Sequence, residues 1–145
     1  MAKMKTVSIE AKSNERFKVE VKAGNHTLYV DQPTTGGGTD AGPNPIEYIF
    51  TSLAGCIATV ARIIAIQKRY KLNGMQMKVE GAFDQETILG KSKENRPGVG
   101  GINVTLSVDA DMSKEEKEAF VHEIESRCPV SDNLSCITPI KVELV

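Results

Sequence analysis

Apolar residues recur at every second position in three short runs near the start of the chain. Val7 to Glu10, Arg16 to Val21 and His26 to Val30 each alternate, the last with His26, Leu28 and Val30 on one face. That period belongs to half-buried strands. Asn14 and the Gly24-Asn25 pair fall between the runs as turn residues, so a β-meander is predicted. Gln32 to Asn44 follows with four glycines and two prolines. It is too irregular for strand or helix and predicts a loop.

The longest periodic segment opens at Pro45 and is predicted to be helical to about Lys71. Asn44 suits the N-cap, Pro45 the first helical position, and Glu47 the first turn, where negative charge is favoured. Tyr48 to Ile66 is apolar on nearly all sides, interrupted by Thr51, Ser52, Thr59 and Arg62. A helix of this kind either crosses a membrane or forms the buried axis of a protein. Arg62 near its middle would cost on the order of 3 kcal/mol in a bilayer, and the sequence has no second such segment, so a buried axis is expected. A single helix of this length would span about 39 Å. That is more than one small chain readily covers, and a second subunit is the expected remedy.

Asn73-Gly74 is the predicted end of the helix. Met75 to Phe83 and Ile102 to Val108 alternate as strands on either side of a polar, glycine-rich stretch, Asp84 to Gly101. Ser113 and Glu116 form a capping-box pattern that opens a helix to about Ser126. Cys128-Pro129 breaks it, Ser131 is placed to cap a short turn of helix to Cys136, and Thr138 to Val145 alternates as a final strand. Strands therefore come in neighbouring pairs, which predicts antiparallel sheets and the α+β class. The expected organisation is one domain over residues 1–145: a meander over 1–43, a central helix over 45–71, and a ββααβ portion over 75–145.

Composition narrows the partners. The chain is 40% hydrophobic and 26% charged with a net charge of -1, enough apolar material for a core without disulfide staples. No strong field draws nucleic acid or an acidic membrane, and the scarcity of aromatics with no Trp argues against base stacking. Neither is an expected partner. The N-terminal lysines are not followed by an apolar signal-like run, so a cytoplasmic location is expected.

Three cysteines are an odd number for a secreted disulfide scaffold. None has CxxC spacing, and His26 and His122 are isolated, so a metal site is not expected. Gly36-Gly37-Gly38 lacks the ending of a phosphate loop and reads as a flexible loop. Cys56 is a core residue or a reactive one. Ala54, Gly55 and Ala58 leave room for a bulky group to approach it, and Thr59 is placed to donate to a thiolate. Cys128 lies between two helices beside Arg127, a setting that favours the thiolate. Cys136 reads as core packing, with a bridging role as the alternative.

Gly42-Pro43-Asn44-Pro45-Ile46-Glu47, Ser52-Leu53-Ala54-Gly55-Cys56 and Cys128-Pro129-Val130-Ser131, with Asp31-Gln32-Pro33 ahead of the glycine loop, together resemble the OsmC/organic hydroperoxide resistance family. The resemblance runs from about Arg16 to Val145. It implies an intertwined α+β homodimer with antiparallel sheets around long buried central helices and active sites at the subunit interface. It implies a hydroperoxide reductase in which Cys56 is peroxidatic and Cys128 resolving. Glu47 and an arginine complete the site; Arg16 matches that arginine best by position, with Arg62 and Arg96 behind it. No cofactor is implied. The substrate would be an organic hydroperoxide, and the reductant a dithiol, in the family often a lipoyl-bearing protein.

The roles make chemical sense. A thiolate attacks the O–O bond, a guanidinium stabilises the thiolate, and a carboxylate orients the guanidinium. Nine helical residues separate Glu47 from Cys56, about 13.5 Å and half a turn out of alignment. Either the helix start deviates, or Glu47 serves the Cys56 of another subunit. Arg127, Cys136 and the lack of an Arg-Asp-Gly stretch around Arg16 depart from the family pattern. Two other functions fit the same scaffold: a small-molecule or fatty-acyl binding protein with idle cysteines, and a redox sensor.

Overall fold

The computed structural model describes residues 1–145, which divide into two compact units, Met1–Ile49 and Phe50–Val145. The class is α+β with antiparallel sheets, as expected.

In the first unit, β1 (Glu10–Ser13), β2 (Val19–Ala23) and β3 (His26–Val30) form an antiparallel sheet in that order. Strands β1 and β2 begin three residues later than the alternation predicts. Register explains the shift. The Gly24-Asn25 turn, with Gly24 at φ +58°, pairs Ala23 with His26 and Val19 with Val30. Once β2 is fixed that way, β1 must pair Ser13 with Val19, and Arg16 falls in the connecting turn at φ +52°.

The glycine-rich loop is irregular but not loose. Asp31 is 1% exposed. Its carboxylate accepts hydrogen bonds from the backbone N–H of Gln32 (2.8 Å), Thr39 (3.1 Å) and Ala41 (3.1 Å), and from the Thr39 hydroxyl (2.6 Å). The Thr39 and Ala41 bonds lead in holding its pKa down at about 2. A side chain on Gly38 would meet the Gln32 carbonyl oxygen at 2.0 Å, and one on Gly42 the Tyr29 carbonyl oxygen at 2.1 Å. Both positions need glycine to let the loop close.

Helix α1 spans Pro45–Lys68. A reciprocal cap starts it: Glu47 N–H donates to Asn44 Oδ1 (2.9 Å), and Asn44 N–H donates to Glu47 Oε2 (2.8 Å). It stops three residues earlier than predicted because Arg69 turns left-handed, at φ +58°. The N–H groups of Arg69 and Tyr70 then bond back to Ile66 and Ala65, a Schellman closure made without glycine. Leu53, Ile57, Val60, Ala61, Ile64 and Ala65 are buried, at the 3–4 spacing of one helix face. Thr51, Gly55, Ala58, Arg62 and Ile66 are exposed. The chain alone thus buries one face of the expected axis. By length and composition this helix could cross a membrane, with a mean hydropathy of 2.0.

In the second unit, β4 (Leu72–Gly81) and β5 (Ile102–Ala110) pair antiparallel, matching Met77 with Leu106 and Val79 with Val104. Asn73-Gly74 does not end the helix; it sits at a bulge at the start of β4, since Arg69 has already turned the chain. A short helix, α2 (Gln85–Ile88), capped by Asp84, occupies part of the polar, glycine-rich stretch between the two strands. Helix α3 (Lys114–Arg127) carries the predicted Ser113/Glu116 capping box. Its buried Phe120 and Ile124 join the α1 face in one core, over which β4 and β5 lay Met75, Met77, Val104 and Leu106. Phe120 also meets Tyr70 edge-on at 5.9 Å. Helix α4 (Pro129–Ser135) is N-capped by Cys128 rather than Ser131. The final strand predicted over 138–145 does not form. Ile140, Val142 and Leu144 are 87%, 90% and 101% exposed, because the segment pairs with neither sheet.

Candidate redox site

One helix face and one helix junction set the site. Cys56 lies on α1 at the margin of its core face and is half-buried. Cys128 ends α3 and starts α4 in an extended conformation, φ -84° and ψ 109°. Pro129 enforces this break, since a residue before proline is driven out of helical geometry, while proline suits the first position of the next helix. The break turns the Cys128 side chain into the core, where it is 1% exposed. The result is a sulfur–sulfur contact of 3.0 Å between two free thiols 72 positions apart in sequence. A disulfide requires about 2.05 Å, so closure needs a movement of roughly 1 Å.

The α4 N-terminus completes the surroundings. Its first N–H groups have no partner within the helix. Ser131 N–H donates to Cys128 Sγ at 3.4 Å, and Val130 N–H is directed to Cys56. Burial pushes the Cys56 thiol above its ordinary value, the hydrogen bond with Cys128 adds to the rise, and the Val130 N–H opposes it. The Val130 and Ser131 donors are the part that sequence reading missed. Their signal was Cys-Pro itself, which places a fresh helix start beside the sulfur.

The other candidates have partners of their own or belong to the first unit. Thr59 donates to the Gly55 carbonyl at 2.8 Å and so serves its own helix rather than a thiolate. Arg62 donates to the Leu72 carbonyl and Arg96 to the Val99 carbonyl. Arg127 bonds Gln67 and Glu123 at 3.0 and 3.3 Å. Arg16, in its turn, and Glu47, in the α1 cap, belong to the first unit. Cys136 is exposed at the end of α4, 3.8 Å from Asp132 Oδ1. It is not the core residue expected, because α4 buries none of its side chains. No three His, Cys, Asp or Glu side chains are grouped to hold a metal ion.

The family model described as OsmC-like protein matches residues 37–143. The chain belongs to the OsmC-like family. Solved relatives share its fold. An OsmC-like protein from Mycoplasma pneumoniae is 23% identical with a TM-score of 0.78, over 90% of this chain and 88% of that one. An organic hydroperoxide resistance protein OsmC from Legionella pneumophila is 22% identical with a TM-score of 0.64, over 92% and 91%. An organic hydroperoxide resistance protein from Elizabethkingia anophelis is 18% identical with a TM-score of 0.64, over 91% and 89%. No curated protein matches the sequence.

Proposed function

We propose that this OsmC-like protein is a thiol peroxidase that reduces organic hydroperoxides, with Cys56 peroxidatic and Cys128 resolving. The Cys56 thiolate attacks the peroxide: an S–O bond forms, the O–O bond breaks, and the alcohol leaves with a proton. Cys128 then attacks the Cys56 sulfenic acid, forming a disulfide and releasing water. An external dithiol, such as a lipoylated protein, restores both thiols. The observation carrying this reading is the 3.0 Å contact between two free, core-facing thiols. Burial raises the Cys56 pKa, so activity near neutral pH needs a cation nearby. Arg16, oriented by Glu47, is the proposed source.

The working form is proposed to be a cytoplasmic homodimer. The exposed face of α1 and the bare Ile140, Val142 and Leu144 are apolar surface that a second copy would cover; the molar mass in solution tests this. A binding role is the second reading. It is favoured by an open cavity of about 1080 Å³ in the second unit, walled by Leu53, Ile57, Val104 and Leu106 with Lys117 among its lining residues. Peroxide consumption with a dithiol reductant separates the readings. An enzyme turns over and loses turnover in Cys56→Ser, a binder consumes nothing in either form, and a sensor oxidises once without cycling.

A further inference from the structure

The third thiol has no place in the scheme above, yet its position relates directly to the other two. Cys128 caps the start of α4 and Cys136 caps its end. One is 1% exposed and the other is exposed to solvent. The helix between them is seven residues long and buries no side chain. A segment with so few buried contacts opens at low cost.

Resting on the peroxidase reading, we infer that Cys136 is a relay thiol that carries oxidation from the buried pair to the surface. Once Cys56 and Cys128 are joined, Cys128 offers a protein reductant almost no surface. Cys136 is tethered eight residues away. With α4 formed, the two positions are about 12 Å apart along the axis, too far for a disulfide, whose Cα atoms lie within roughly 7 Å. Unwinding α4 removes that separation and leaves a short loop, which closes readily. The Cys136 thiolate attacks the Cys128 sulfur. A Cys128–Cys136 bond forms, the Cys56–Cys128 bond breaks, and Cys56 leaves as the thiolate, ready for the next peroxide. The exposed Cys128–Cys136 disulfide then takes two electrons from an external dithiol, which becomes a disulfide itself, and both thiols return. No further oxidant is required.

Tryptic mapping without reduction reads the two disulfides separately. Cleavage at Lys22, Arg62, Arg127 and Lys141 places Cys56 in Ala23–Arg62, and both Cys128 and Cys136 in Cys128–Lys141. A Cys56–Cys128 bond joins the two peptides. A Cys128–Cys136 bond is a loop within the second, lighter by two hydrogens. After one equivalent of cumene hydroperoxide and timed alkylation, the joined species should appear first and the looped species follow. Cys136→Ser should stop at the joined species, and its turnover with a thioredoxin-type protein dithiol should fall by about tenfold or more while turnover with dithiothreitol changes little. Absence of the loop at all times, with unchanged turnover in Cys136→Ser, overturns the relay and leaves the peroxidase reading standing. Absence of the joined species overturns the peroxidase reading itself.

Discussion

Replacing Cys128 by serine isolates the chemistry of Cys56 from that of its partner. In the wild type the two sulfurs stand 3.0 Å apart, so a sulfenic acid on Cys56 meets a thiol already in contact. Well-oriented intramolecular pairs reach effective concentrations on the order of 10⁵ M or more. Even if the movement needed for closure reduced that to about 1 M, an external thiol at about 1 mM would be roughly a thousandfold slower at the same step. Cys128→Ser should therefore react once with cumene hydroperoxide at a near wild-type rate and then hold a long-lived Cys56 sulfenic acid. Dimedone labelling followed by mass spectrometry detects that species directly. Serine is slightly smaller than cysteine but is a favoured N-cap residue for α4, so the fold should persist, as circular dichroism would show. Unlabelled Cys56 and turnover within about twofold of the wild type would refute the reasoning, because resolution would then not depend on the contact.

Four further outcomes follow from individual residues. Ile64 is 0% exposed in the shared core, so Ile64→Ala should cost about 2–5 kcal/mol in urea unfolding. Ser113→Ala removes half of the α3 capping box and should cost about 0.5–2 kcal/mol by the same measurement. Asp31 has a folded pKa of about 2, below its ordinary 3.8. Its stabilising contribution is thus complete above that ordinary value and lost as pH falls toward 2; proteolysis of the 32–44 loop should accelerate over that window, and Asp31→Asn should flatten the response. Burial raises the Cys56 pKa. The folded chain favours its neutral thiol, so this contribution is present below the ordinary thiol pKa and fades as pH rises through the raised one. Iodoacetamide labelling of Cys56 in Arg16→Ala, which removes the proposed cation, should keep accelerating above pH ~8.5, the ordinary thiol value; a labelling midpoint below that value in this variant would refute the assignment of the cation to Arg16.

The sequence was most legible where local chemistry decides the structure. The α1 start, the α3 capping box and the Cys-Pro break depend on neighbours a few residues away, and each appears where the residue pattern puts it. Boundaries set by pairing were less legible. The β1 and β2 limits follow from the turn at Gly24, not from alternation. The end of α1 was hidden because an arginine, not a glycine, adopts the left-handed cap. The segment 138–145 has the pattern of a strand but pairs with neither sheet, and pattern alone does not supply a neighbour. At the site, the motifs nominated Cys56 and Cys128, and only the fold put the sulfurs in contact. The misreading of Cys136 as core has a plain cause: apolar Leu134 and Ile137 flank it, yet Leu134 on α4 and Ile137 beyond its end are both exposed.

Thiol titration after stoichiometric oxidation reaches the account most directly. The reduced protein has three free cysteines. One equivalent of an organic hydroperoxide should leave one titratable thiol, with Cys56 and Cys128 joined in the first species trapped. If all three thiols remain titratable while the peroxide persists, the two sulfurs are not a peroxidatic pair.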